Sequence, residues 1–90
     1  MRTAVEMPRF AADAVDGRVN AWFKQVGDRV ERGEVIAEIE TDKADLDLEA
    51  MASGVLVEIV HEAGAEVPVG EPIAYIDTSE AGVGGVADET

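Results

Sequence analysis

Slid past itself by 37 residues, the chain falls into register without a gap. Gly17 lands on Gly54, Gly27 on Gly64, Val30 on Val67, Gly33 on Gly70 and Glu34 on Glu71. Further along, Ile36 lands on Ile73, Ala37 on Ala74, Ile39 on Ile76, Thr41 on Thr78 and Ala44 on Ala81. These are ten identities in twenty-eight compared positions, and replacements such as Val19 by Leu56 and Glu40 by Asp77 keep the chemistry. Self-similarity at a fixed offset marks two copies of one structural unit. The matched glycines predict matched turns, because glycine supplies the positive φ that a tight turn requires. Two like halves of about four strands each then predict a pseudo-twofold sandwich, each half supplying one apolar face.

The strands themselves are short and closely punctuated. Turn formers recur at Gly17, Gly27-Asp28, Gly33, Thr41-Asp42, Ser53-Gly54, Gly64 and Gly70, a spacing that belongs to an all-β sandwich or barrel. After Lys43, Ala44, Leu46, Leu48 and Ala50 alternate with Asp45, Asp47 and Glu49, which predicts a strand with one face inward and one in water. Further strands are expected at Val5–Met7, Arg18–Phe23, Val35–Glu40, Val55–Val60 and Ile73–Ile76, with brief ones around Val30 and Val67, and no helix. Trp22, Ile36, Ile39, Leu46, Leu48, Leu56, Ile59 and Ile76 are the expected core, while Lys24 and His61, opposite each other in the repeat, are expected at the surface. One domain over 1–77 follows, and residues 78–90, with little to bury, read as the first stretch of a flexible linker.

Composition narrows the chemistry. Ninety residues support one modest core and leave no room for a deep substrate cleft with its own cofactor domain, so an enzyme is not expected. There is no cysteine, hence no disulfide and no thiolate metal site, and the single histidine, His61, cannot assemble an imidazole cluster; no metal is expected. Twenty acidic against seven basic residues repel phosphate backbones and anionic lipid alike, which argues against nucleic acid and membrane as partners. The start Met1-Arg2-Thr3-Ala4-Val5-Glu6 lacks the apolar stretch of a signal peptide, and no apolar run is long enough to span a bilayer, so a cytoplasmic protein is expected, or one of the mitochondrial matrix in a eukaryote.

Because packing needs are common to both halves, the differences between them point to function. The sharpest is Lys43, whose repeat partner is Glu80. Lys43 is the only lysine or arginine after Arg32 and stands among Glu34, Glu38, Glu40, Asp42, Asp45, Asp47 and Glu49. It falls where the strand ending at Glu40 must reverse into the one beginning at Asp45, so it belongs at a hairpin tip, open to solvent and to a modifying enzyme. No general base, oxyanion hole or paired nucleophile accompanies it, so no catalytic residue is assigned.

Glu40-Thr41-Asp42-Lys43-Ala44, set with Gly17, Trp22, Gly27-Asp28-Arg29-Val30, Gly33 and Val69-Gly70-Glu71-Pro72-Ile73, resembles the lipoyl domains of 2-oxo acid dehydrogenase acyltransferases, over roughly Thr3 to Asp77. The resemblance implies a flattened barrel-sandwich of two four-stranded antiparallel sheets with pseudo-twofold symmetry. It also implies lipoic acid joined by an amide to Lys43, with Asp42 and Ala44 as recognition neighbours. The implied partners are a lipoate ligase or lipoyl/octanoyl transferase, a thiamine diphosphate-dependent 2-oxo acid dehydrogenase, the acyltransferase core and dihydrolipoyl dehydrogenase. Such a domain catalyses nothing itself: it keeps a tethered intermediate at high effective concentration near successive active sites. The tether, leaving near position 80, is expected at the end of the body opposite Lys43.

Three related readings fit less well. Biotin carrier domains share the fold but flank their lysine with methionines, where this chain has Asp42 and Ala44. Unmodified adaptor modules of efflux systems lack a lysine at this tip, and the glycine-cleavage carrier is longer. The loop Pro8–Asp16 departs from the lipoyl pattern in lacking a small or glycine residue after the first strand's proline. In the family this loop helps partners recognise the domain, so the cognate dehydrogenase stays open.

Overall fold

A computed structural model describes residues 1–79. Glu80 and Ala81, the repeat partners of Lys43 and Ala44, lie outside the described residues, as does all but the start of the tail expected to be a linker. The described residues form eight strands: β1 (Arg2–Glu6), β2 (Asp16–Trp22), β3 (Arg29–Val30), β4 (Val35–Glu40), β5 (Asp45–Glu49), β6 (Gly54–Ile59), β7 (Glu66–Pro68) and β8 (Pro72–Asp77). They form two four-stranded sheets, ordered β1-β8-β6-β3 and β5-β4-β2-β7, every pairing antiparallel. Among the described residues no helix is long and apolar enough to cross a membrane.

The repeat holds at the level of register. Arg18 pairs with Glu40 and Val19 with Ile39; shifted by 37, Val55 pairs with Asp77 and Leu56 with Ile76. Even the irregularities recur, between Val19 and Ala21 in one half and between Leu56 and Glu58 in the other. Gly17 pairs with Val67 just as Gly54 pairs with Val30. The strand orders then superpose term by term, with β2 on β6, β7 on β3 and β4 on β8. That leaves β5 matched by β1, from the opposite end of the chain: Ala37 pairs with Leu48, and its image Ala74 with Val5. Thr41 N–H donates to the Ala44 carbonyl at 3.0 Å, and Thr78 N–H donates to the Met1 carbonyl at 2.8 Å. The hairpin joining β4 to β5 thus has a severed counterpart, in which Thr78 and Met1 meet without being joined by a turn.

Between the sheets lies a continuous core of Val5, Met7, Val19, Val30, Ile36, Ala37, Ile39, Leu48, Ala50, Leu56, Val67, Ile73, Ala74 and Ile76. The expected core residues Trp22, Leu46 and Ile59 are half-buried against its margin, at or next to the ends of β2, β5 and β6. Trp22 Nε1 donates to the His61 carbonyl at 3.0 Å. That contact draws His61 down, so it is half-buried rather than on the open surface.

Gly17 and Gly54 are not turn residues. Among the described residues positive φ belongs to Gly27, Gly33, Gly64 and Gly70, two repeat pairs in turns, whereas Gly17 and Gly54 are buried within β2 and β6. What they share is want of room. A Cβ on Gly54 would stand 2.3 Å from the Asp77 carbonyl oxygen, and one on Gly17 would stand 2.9 Å from Met7 Sδ.

The contact between Met7 and Gly17 also fixes how the two ends of the body are disposed. Met7 follows β1 where Glu6 pairs with Pro72, and Gly17 lies one residue beyond the Arg18–Glu40 pair at the hairpin end of the other sheet. Val69 N–H likewise donates to the Val15 carbonyl at 2.9 Å. From that level β8 runs away for its full length to Asp77, about 20 Å at the usual rise. Asp77, with Met1 and Thr78 beside it, therefore sits at the end of the body opposite Lys43.

Candidate functional site

The hairpin between β4 and β5 spans four residues, Thr41 to Ala44, and of these Asp42, Lys43 and Ala44 are exposed. Burial along β5 deepens away from the tip: Leu46 is half-buried, Leu48 and Ala50 are buried. Ala44, expected to share their inward face, is exposed because the opposite sheet does not reach the tip.

Among the described residues no non-glycine residue has positive φ, so Asp42-Lys43 cannot form the primed turns that usually close two-residue hairpins. The unprimed turn is closed by a side chain instead. Thr41 Oγ1 accepts the N–H of Ala44 at 3.0 Å and the N–H of Lys43 at 3.2 Å, and donates its own hydrogen to the Ala44 carbonyl at 2.7 Å. Sequence reading counted Thr41-Asp42 among the turn formers but assigned no bond to the threonine hydroxyl. The signal lay in the hydroxyl itself, since a threonine followed by Asp and Lys can turn the chain through its side chain.

Lys43 makes no ion pair with any described residue, despite its neighbours. Its surroundings are carboxylates held face to face: Glu40 opposite Asp45, and Glu38 opposite Asp47. Like charges directly across a ladder repel. The compensation near the tip is Arg18, 3.9 Å from Glu40 with both side chains about half exposed, and Asn20, whose amide donates to Glu38 at 2.8 Å. The charges on β5 also blunt an open sheet edge against strand addition. Lys24, the other lysine, is engaged: its ammonium lies 2.9 Å from Glu34. That hydrogen bond raises the Lys24 pKa above its ordinary value and lowers that of Glu34.

Against the hairpin stands the 8–16 loop, which Arg9 pins by donating to the carbonyls of Ala12 and Ala14, each at 3.3 Å. Loop and tip together line an open depression of about 630 Å³, with Phe10, Val15 and Asp16 on one side and Thr41, Lys43 and Leu46 on the other. The loop whose sequence departs from the lipoyl pattern is thus the one nearest the lysine.

Residues 3–76 match the biotin/lipoyl family model, described as biotin-requiring enzyme. The dihydrolipoyllysine-residue acetyltransferase component of the mitochondrial pyruvate dehydrogenase complex of Schizosaccharomyces pombe is 40% identical over 89 residues, 98% of this chain and 18% of that protein. The dihydrolipoyllysine-residue succinyltransferase component of the 2-oxoglutarate dehydrogenase complex of Bacillus subtilis is 43% identical over 72 residues, 80% of this chain and 17% of that one. This chain therefore spans about a fifth of the length of the relatives it matches. Among solved structures, the lipoyl domain of the 2-oxoglutarate dehydrogenase complex of Azotobacter vinelandii superposes with a TM-score of 0.64 at 37% identity, covering 82% of this chain and 96% of that one. The urea carboxylase of Kluyveromyces lactis superposes with a TM-score of 0.71 at 27% identity, covering 86% of this chain and 6% of that one.

Proposed function

The chain belongs to the lipoyl members of the biotin/lipoyl carrier family, and from that premise we propose that it carries lipoic acid on Lys43 and shuttles acyl groups within a 2-oxo acid dehydrogenase complex. The observation that carries this reading is an exposed primary amine, without an ion-pair partner among the described residues, at the tip of a pinned hairpin. An amide-linked arm needs such a post, because the modifying enzyme must reach the amine from outside and the arm must then sweep freely. Asp42 and Ala44 flank the lysine and are exposed with it, so they are the side chains a ligase meets first.

Lipoate attached there supplies a dithiolane that accepts an acyl group and two electrons together. The residues of the chain do the holding. Thr41 fixes the turn, the acidic ladder of β4 and β5 keeps the tip hydrated and unpaired with any second strand, and the absence of cysteine leaves the arm no internal thiol to exchange with. With Lys43 at one pole and the Met1–Thr78 contact at the other, a chain continuing beyond Thr78 would be joined at the end remote from the arm, leaving the arm a wide range of partner sites. The partners are a lipoate ligase or lipoyl transferase, a thiamine diphosphate-dependent dehydrogenase, an acyltransferase core and dihydrolipoyl dehydrogenase, in the cytoplasm or the mitochondrial matrix. Both acetyl- and succinyltransferase components are among the relatives, so the 2-oxo acid is left to experiment.

The test is reductive acylation of ligase-treated domain by 2-oxo acid dehydrogenases of each class with labelled substrate. Label should enter the domain with one class and be absent from Lys43→Ala. Label in Lys43→Ala, or none with any dehydrogenase despite full lipoylation, would contradict the proposal. Biotinylation of Lys43 by a biotin ligase in place of lipoylation would assign the chain to the other branch of the family.

A further inference from the structure

We infer that Thr41 is the positioning residue for modification of Lys43. The inference rests on the reading of Lys43 as the modified lysine. The two strands leading into the hairpin meet through an unprimed turn, whose twist does not match theirs. In a hairpin closed by its backbone alone, the N–H of Ala44 would return to the Thr41 carbonyl. Here it goes to the Thr41 hydroxyl at 3.0 Å, and the N–H of Lys43 goes to the same oxygen at 3.2 Å. One hydroxyl therefore holds both peptide units that bracket the lysine's Cα. Its own proton, donated to the Ala44 carbonyl at 2.7 Å, locks the rotamer that makes this possible. Remove the oxygen and the strands still meet through Thr41 N–H and the Ala44 carbonyl at 3.0 Å. The two peptide N–H groups at the tip, however, turn to water, and Lys43 loses its fixed direction.

The second half of the repeat provides a matched comparison within the same molecule. Thr78, the image of Thr41, donates through N–H and hydroxyl to the Met1 carbonyl at 2.8 and 3.1 Å. Among the described residues the donating half of the clasp is thus built twice, and a lysine follows only the first threonine closely. If the hydroxyl served stability alone, loss of either would affect modification only as far as it unfolds the chain; if it serves presentation of Lys43, loss of the Thr41 hydroxyl slows modification in a chain that stays folded, and loss of the Thr78 hydroxyl does not.

The experiment compares Thr41→Val, Thr41→Ala, Thr41→Ser and Thr78→Val with the wild-type chain, using lipoate ligase, ATP and lipoate. Valine keeps the shape of threonine and loses the oxygen, whereas serine keeps the oxygen. Expected is a fall in ligase kcat/KM of roughly ten- to a hundredfold for Thr41→Val and Thr41→Ala, the range in which sub-ångström to one-ångström misplacements act. The fall should lie mainly in kcat. Thr41→Ser and Thr78→Val should stay within about threefold of wild type. Amide hydrogen exchange at Lys43 and Ala44 should accelerate in Thr41→Val and Thr41→Ala only, which reads the turn without the ligase. Normal rates in both Thr41→Val and Thr41→Ala, or an equal fall in Thr78→Val, would overturn the inference. Failure of the wild-type chain itself to be modified at Lys43 would instead overturn the reading beneath it.

Discussion

Gly17 and Gly54 occupy the same place in the repeat, yet replacing each with alanine should cost very different amounts. On Gly54 the new methyl group would lie 2.3 Å from the Asp77 carbonyl oxygen and 3.0 Å from Ile76 Cγ2. Ordinary contact requires about an ångström more. The oxygen cannot yield it alone, because β8 is an inner strand and Asp77 is paired with Arg2 on one side and Val55 on the other. Overpacking of about 1–3 kcal/mol is then joined by one or two strained ladder bonds of about 1 kcal/mol each, for roughly 3 kcal/mol in all. On Gly17 the obstacle is Met7 Sδ at 2.9 Å, the flexible end of an adaptable side chain. Its displacement should cost about 1 kcal/mol, partly offset by the lower unfolded-state entropy of alanine. At about 4–8 °C per kcal/mol for a domain this small, Gly54→Ala should lower Tm by roughly 12–24 °C and Gly17→Ala by less than about 8 °C. Thermal circular dichroism with parallel urea melts measures both. Variants equal within the error of the melts, or Gly17→Ala the less stable, would refute the reasoning.

The other predictions are simpler. Gly27→Val and Gly64→Val should each lose on the order of 1–2 kcal/mol by urea titration with lipoylation of Lys43 unaffected, since φ is 101° and 98° there with open space around both. Unchanged midpoints would mean the two turns impose no such strain. Asp77 accepts from the hydroxyl and N–H of Ser79 and then from the Met1 ammonium, which holds its pKa below the ordinary 3.8. A depressed folded pKa contributes stability above the unfolded value and loses it as pH falls through the folded one. Asp77→Asn should therefore be less stable than wild type at neutral pH and converge with it well below pH 3.8; a gap independent of pH would contradict this. Exchanging Lys43 and Ala44 keeps composition and charge but moves the amine one step along the chain, so lipoylation should fall at least about tenfold in a chain that still folds. Modification at the wild-type rate would show that the ligase reads local sequence rather than place.

Much of this architecture is legible in the sequence because the repeat is so regular: the 37-residue offset anticipates the strand registers and, through them, the matching irregularities beside Val19 and Leu56. Identity at an offset says that two residues share a place, not why, and so Gly17 and Gly54 read as turns although packing is what selects them. The equivalence of β1 and β5 was hidden. Arg2-Thr3-Ala4-Val5-Glu6 and Asp45-Leu46-Asp47-Leu48-Glu49 agree only at the final glutamate, and their offset differs from that of the rest because the second hairpin is severed. Alternation also overstated Ala44, since period-two patterns register which face a residue takes but not where the opposing sheet ends. Lys43 stood out by its difference from Glu80, whereas the Thr41 hydroxyl did not, because its bonds run to main-chain groups that carry no pattern.

The central claim is that one lysine, Lys43, carries the lipoyl group. Its most direct test is peptide mapping by mass spectrometry of the domain produced in a lipoate-competent host, alongside Lys43→Ala. The account predicts a single lipoyl adduct, on the peptide containing Lys43, and none in the variant, with Lys24 unmodified in both. A lipoyl group on Lys24, or an adduct that persists in Lys43→Ala, would contradict it.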